Sequence, residues 1–160
     1  MLDLRFFPPD YRGKYPHMFP KDIAVWEKFL DEYGPNYRGF YYDIMCGEES
    51  QQFPRWEENY RRDAIILSKL RIDAVGVKDN VLDIIEVKPR ANMAAIGQIL
   101  TYVEKYQKEY SPTKSLQAVL VAGEVDPNIL EIAARNNIVI YDMSLQKKNS
   151  GRHTFLRQKG

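Results

Sequence analysis

The stretch from Arg71 to Lys88 constrains this chain more than any other. It reads Arg71-Ile72-Asp73-Ala74-Val75-Gly76-Val77, then Lys78-Asp79-Asn80, then Val81-Leu82-Asp83-Ile84-Ile85-Glu86-Val87-Lys88. Two β-rich runs flank an Asp-Asn pair, whose side chains tolerate the positive φ of primed two-residue turns. The stretch therefore predicts a hairpin with Asp79-Asn80 at its tip. A two-residue loop pairs Lys78 with Val81, and counting outward sets Val75 against Ile84 and Asp73 against Glu86. Alternation puts Glu86 and Lys88 on one face, with Asp73 joining them from the neighbouring strand. A three-residue loop would instead set Asp73 against Ile85. Like charges directly opposite one another destabilise a sheet. Two acids beside a run as apolar as Val81–Val87 need a counter-charge, and a divalent cation between them would supply it. The alternative is an exposed cross-strand cluster in which Lys88 neutralises both acids.

The flanking sequence supplies the rest of a fold. Pro8, Pro9, Pro16 and Pro20 are interleaved with Phe6, Phe7, Tyr11, Tyr15 and Phe19. Residues 1–20 are thus expected to form an irregular arm whose aromatics pack over the body. An aromatic platform for nucleobases is the other use of such a segment. Ile23, Val25, Trp26, Phe29 and Leu30 have helical spacing and predict a helix from Lys21 to Tyr33, with Trp26, Phe29 and Leu30 buried and Gly34-Pro35 ending it. Tyr37 to Cys46 predicts a first strand, carrying Asp43 as a strand-edge acid or an extra ligand. Gly47 to Tyr60 reads as a loop or short helix, and Ala64 to Leu70 is ambiguous between helix and strand. Ser68-Lys69 could reach phosphates or form a solvated turn.

Beyond the hairpin, Pro89 is expected to end the second strand, because it has no N–H for the ladder. Asn92 should cap a helix from Met93 to about Tyr110, with Met93, Ile96, Leu100, Val103 and Tyr106 as its core stripe. Ala94, Ala95 and Gly97 would let it approach the sheet closely. Gln98 and Tyr102, at i and i+4, project together from a neighbouring face. Leu116 to Ala122 predicts a central strand buried on both faces. Asp126-Pro127 opens a helix with Ile129, Leu130, Ile132 and Ala133 inward, and Ile138 to Tyr141 is a last strand. This order implies an α/β fold with helices on both faces of a mixed sheet.

At 160 residues, 44% hydrophobic and 28% charged, the chain suits one globular domain, placed here at residues 21–143. No apolar run approaches the roughly 18 residues of a membrane span. Met1 to Pro9 carries an acid and two prolines where a signal peptide needs a basic then apolar run, so a cytoplasmic location is expected. Cys46 is the only cysteine, which excludes an intrachain disulfide and a Cys-based zinc site. A net charge of +1 excludes a uniformly basic nucleic-acid binder. Even so, Lys147, Lys148, Arg152, Arg157 and Lys159 give residues 144–160 an acid-free basic tail that could contact phosphates or remain a solvated terminus. There is no G-x-G-x-x-G or G-x-x-x-x-G-K-[S/T], so a small-molecule α/β enzyme lacks its phosphate loop.

Asp73, then Glu86-Val87-Lys88 after a hairpin, then Gln98-x-x-x-Tyr102, resemble the PD-(D/E)XK nuclease superfamily. The Gln–Tyr pair is most like its RecB-like branch. Ile72 stands where the name-giving proline would be. The resemblance implies a three-layer αβα restriction-endonuclease-like core around a central mixed β-sheet, and a metal-dependent DNA nuclease. By position, Asp73 and Glu86 would bind Mg²⁺ or Mn²⁺, with the Val87 carbonyl as a further ligand. Lys88 would orient or activate the attacking water and steady charge on the phosphate. Gln98 would help position the site, and Tyr102 would contact the DNA backbone or hold its helix. Many relatives add an acid from the first helix, for which Glu27 is the candidate, with Glu32 and Glu57 behind it. Relatives are often homodimers, and the compact size suits a phage, plasmid or repair setting. The alternative is a nuclease-fold DNA-binding or assembly protein that has lost catalysis.

Overall fold

The structure, a computed structural model, describes residues 4–48, 60 and 69–144. Glu57, Ser68 and residues 145–160, including every cation of the basic tail, lie outside them. The described elements are β1 (Phe6–Phe7), α1 (Pro20–Tyr33), a 3-10 turn (Gly34–Asn36), β2 (Gly39–Cys46), β3 (Leu70–Val77), β4 (Val81–Ala91), α2 (Met93–Tyr110), β5 (Ser115–Val125), a 3-10 turn (Pro127–Ile129), α3 (Leu130–Arg135) and β6 (Val139–Asp142). The strands form one mixed sheet in sequence order, antiparallel from β1 to β4 and parallel from β4 to β6. Helices cover both faces, as the alternation of elements predicts. α1 lies on one face over Phe40, Tyr42, Ala74, Ile85, Val87, Val119 and Val121. α2 and the start of α3 lie on the other, over Ile44, Ile72, Val75, Ile84 and Leu120.

The hairpin has its expected register. Lys78 N–H donates to the Val81 carbonyl at 3.0 Å, closing the two-residue loop. Val75 faces Ile84 and Ala74 faces Ile85. There the β3–β4 pairing ends. Leu70 to Ile72 pair with β2 and Glu86 to Lys88 with β5, so the two strands part where the count sets Asp73 against Glu86.

A second feature sits at the same rung. Phe40 and Tyr42 face α1, whereas Ile44 and Cys46 face α2; on β3, Ala74 faces α1 and Ile72 faces α2. Residues two apart on a regular strand share a face. Both strands therefore change face at the Asp43–Asp73 rung, and Asp43 takes φ 57, in the left-handed region, to do so.

Four expectations need correction. The arm is not wholly irregular, because Phe6 and Phe7 pair with Tyr41 and Phe40; of its aromatics Tyr15 is buried as expected, whereas Phe6 and Phe19 are exposed. β4 runs past Pro89 to Ala91, with Lys88 and Arg90 still paired to Ala122 and Glu124. By that point β4 has no β3 partner to demand the missing N–H, and Pro is tolerated on such a free edge. On α2 the buried residues are Ala95, Ile96, Ile99 and Tyr102, while Met93 is 79% exposed and Leu100 is exposed. Apolar residues span so much of this helix that two stripes fit the spacing, and the stripe that meets the sheet includes Tyr102. Gly97 lies on the outer face, leaving Ala95 as the close approach. On the last helix Ile129 and Ala133, one turn apart, are buried, whereas Leu130 and Ile132 are exposed.

Asn92 caps α2, its Oδ1 accepting the Ala94 N–H at 3.0 Å. Asn92→Ala is expected to destabilise the protein by roughly 1 kcal/mol, read from the shift of a urea unfolding midpoint. Among the described residues no helix is long and apolar enough to cross a membrane.

Candidate metal centre

The parting of β3 and β4 creates the setting for three charged side chains. Asp73, at the rung where β3 changes face, turns its carboxylate toward β4 and accepts the Val87 N–H at 2.8 Å. A side chain thus replaces a backbone acceptor of the ladder. Glu86, one residue earlier on β4, is 2% exposed. Its Oε1 lies 2.5 Å from Lys88 Nζ, whose side chain remains partly open to solvent. The Val87 side chain between Glu86 and Lys88 is buried on the α1 face.

Burial and mutual repulsion govern the charges. Asp73 is pushed up from 3.8 to about 8, first by burial and then by the Glu86 charge, against the pull of the Val87 N–H and Lys88. Glu86 is also raised, by burial, despite Lys88. The two carboxyls can hydrogen-bond to each other while one is protonated. With both ionised that bond is lost, and Glu86 Oε2 is buried with no hydrogen-bond partner among the described residues. Burial opposes the charge on Lys88, but Glu86 and Asp73 outweigh it and hold the lysine as an ammonium.

On the face that Glu86 shares, α2 brings Tyr102 into the same neighbourhood. Gln98 Nε2 donates to Tyr102 Oη at 3.3 Å. Burial, then the Glu86 charge, pushes the Tyr102 phenol up to about 12. Asp73, Glu86, Lys88 and Tyr102 are therefore brought together, with Gln98 reaching them through Tyr102.

Glu27 is not among them. Its neighbours are the Tyr15 hydroxyl, at 3.5 Å, and the charge of Arg12. The first-helix acid whose charge acts on Asp73, Glu86 and Lys88 is Asp22. Asp22 also accepts the Phe19 N–H at 2.9 Å, in the first turn of α1. The sequence holds a signal for it: an acid three residues past a helix start is placed at that helix's end, whereas Glu27 lies mid-helix. Asp43 is engaged by Arg71, whose Nε lies 2.6 Å away, and has His17 Nε2 at 4.0 Å. It serves an ion pair and not the acid pair.

The donor set fits a hard divalent cation. Two carboxylates facing one another, one with an unpartnered buried oxygen, gain most from a small positive charge between them. Among the described residues no group of three or more His, Cys, Asp and Glu side chains is arranged to hold a metal. Mg²⁺ is commonly bound through one or two carboxylates, with waters and substrate phosphate completing its octahedron. Compared with known proteins, the chain matches no family model, no curated protein and no solved structure.

Proposed function

We infer that this protein is a Mg²⁺- or Mn²⁺-dependent deoxyribonuclease that hydrolyses phosphodiester bonds at Asp73, Glu86 and Lys88. The observation that carries the reading is the Asp73–Glu86 pair itself. Two buried, mutually repelling acids stand where the sheet opens, with a lysine ammonium against one of them. The order α1, β2, β3, β4, α2, β5 supports a restriction-endonuclease-like αβα core with the acids on its antiparallel strands.

Asp73 and Glu86 would hold the cation, with the Val87 carbonyl beside them. The bound cation supplies Lewis acidity toward the phosphate and a lowered pKa for its water. Asp73 is oriented for this by the Val87 N–H, which fixes one carboxylate oxygen. Lys88, kept charged by Glu86, aligns the attacking water and offsets charge growing on the phosphate. Tyr102, held by Gln98, supports the Glu86 side of the site or donates to the DNA backbone. The arm would supply a homodimer surface if two strands are cut together.

Purified protein incubated with linear, supercoiled and single-stranded DNA tests the reading. Cleavage of at least one form is expected with Mg²⁺ or Mn²⁺ and none with EDTA. Protein that cuts no form under either metal would end the catalytic proposal. Asp22 is expected to matter to the metal and Glu27 is not. Asp22→Asn should weaken Mn²⁺ binding by roughly 10–100-fold, the scale of removing a residue that tunes the groups holding the metal, and Glu27→Gln by less than about threefold. Equal effects of the two in a calorimetric titration would refute that assignment.

A further inference from the structure

A second buried acid lies on β4, three residues before Glu86 and facing α1 instead of α2. Asp83 is 1% exposed. Its Oδ2 accepts the Tyr37 hydroxyl at 2.7 Å and lies 2.6 Å from Lys78 Nζ, while Oδ1 is buried without a partner among the described residues. Lys78 Nζ also sits 4.5 Å over the centre of the Tyr37 ring. Across the ladder from Asp83 is Gly76. A Cβ there would meet Tyr37 Cε1 at 2.6 Å, so the absence of a side chain at Gly76 lets Tyr37 lie across β3 and reach Asp83. Burial and the Asp83 charge push the Tyr37 phenol far above its ordinary value, keeping it a donor.

We propose that Asp83, Lys78, Tyr37 and Gly76 form a register pin that sets Glu86 against Asp73. The inference rests on the metal-site reading above for its functional consequence. Its premise is that the apolar pattern of β4 does not define register uniquely. A slip of two residues would keep every side chain on its own face, because the side-chain period is two. It would move Glu86 by roughly 6.6 Å along β3 and take the acid pair apart. Whenever both acids are ionised, the repulsion between Asp73 and Glu86 favours that slip, since like charges opposite each other disfavour their own register. The β3–β4 ladder offers little resistance, running only from Ala74–Ile85 to Val77–Leu82 and the turn bond. What the slip cannot tolerate is Asp83. In a shifted register Val81 or Ile85 would face Gly76 under the Tyr37 hydroxyl, and Asp83 would be buried away from both donors. A buried charged group that fits one alignment only is a known means of specifying register. Asp83, Lys78 and Tyr37 are thus positioning residues that act through the alignment of Glu86.

A role in alignment is separable from a role in stability. Replacing a buried ion pair by apolar residues of similar volume is often neutral or stabilising. The test compares wild type, the double variant D83L/K78M and the milder Tyr37→Phe in the full chain. Thermal melts, Mn²⁺ titration calorimetry and NMR cross-strand contacts between Val75 and Ile84 are the three readouts. The pin predicts that D83L/K78M melts at or above the wild-type temperature, yet binds Mn²⁺ at least tenfold more weakly. Its Val75–Ile84 contact should weaken or be joined by a shifted set. Tyr37→Phe should move in the same direction by less. A D83L/K78M protein with the sole native Val75–Ile84 pairing would overturn the proposal. If wild type binds no Mn²⁺, the metal reading fails, and the NMR contacts still decide the pin.

Discussion

Glu86→Ala is expected to lower the rate of metal-dependent DNA cleavage by roughly 10²–10³-fold or more, the scale set by removing one stabiliser of transition-state charge. On the proposed reading the loss comes from the cation, to which Glu86 would supply one of the two carboxylates and the buried oxygen that has no other partner among the described residues. Lys88→Ala should cost a comparable factor in rate by a different route. An ammonium does not ligate a metal, so Mn²⁺ affinity in that variant should stay within about tenfold of wild type while turnover collapses. The two variants together separate holding the metal from using it. Neither loss should reflect unfolding. Glu86→Gln removes a buried charge that repels Asp73, and is expected to melt no lower than wild type at pH 8, the usual direction when a functional strain is relieved. A Glu86→Ala protein that cuts DNA at the wild-type rate would show that the acid pair is not the catalytic centre.

The second large effect is on stability against pH. Asp73 is raised from 3.8 to about 8 in the folded protein, by burial and by Glu86, and Glu86 is raised too. Between those values the unfolded chain has released a proton that the native protein still holds. The unfolded state therefore binds fewer protons, and stability falls as pH rises. The metal-free protein should lose stability steadily from about pH 4 to about pH 8 and level off above it. Lys88, raised by its partners, contributes stability that is lost only at strongly alkaline pH, so it does not mask this slope. Divalent cations need both acids deprotonated, so binding releases protons and strengthens over the same window. Mn²⁺ at 100 times its Kd should raise the melting temperature by roughly 5–10 °C at pH 8 and have little effect at pH 5. Asp73→Asn should flatten the slope and abolish the Mn²⁺ shift. A metal-free protein whose stability rises from pH 4 to pH 8 would show that this pair does not dominate the titration.

Legibility of the sequence followed physical specificity. The hairpin register is readable because Asp79-Asn80 admits a two-residue turn, and that turn is the one that forms. The buried stripe of α1 was readable because Trp26, Phe29 and Leu30 occupy one side of a helix whose other side is polar. α2 was not, because Met93, Leu100 and Ile99 offer competing stripes, and only contact with the sheet selects Ile99. The strand through Pro89 was missed because a proline is forbidden only where its N–H would be needed, and the parting of β3 and β4 is not written locally. For the same reason the change of face at Asp43 and Asp73 was invisible, since alternation alone puts every second residue on one side. Asp22 was overlooked because helical spacing ranks acids by face, whereas its nearness to the site comes from lying at the end of α1. Asp83 carries no local signal, because its partner Tyr37 lies 46 residues away in sequence.

The central claim is that Asp73 and Glu86 bind a divalent cation. Calorimetric titration of Mn²⁺ into wild type and Asp73→Ala at pH 8 tests it most directly. Saturable binding to wild type, with protons released, and no binding to Asp73→Ala is the expected result. Wild-type protein that takes up no Mn²⁺, or a variant that binds it equally well, would contradict the account.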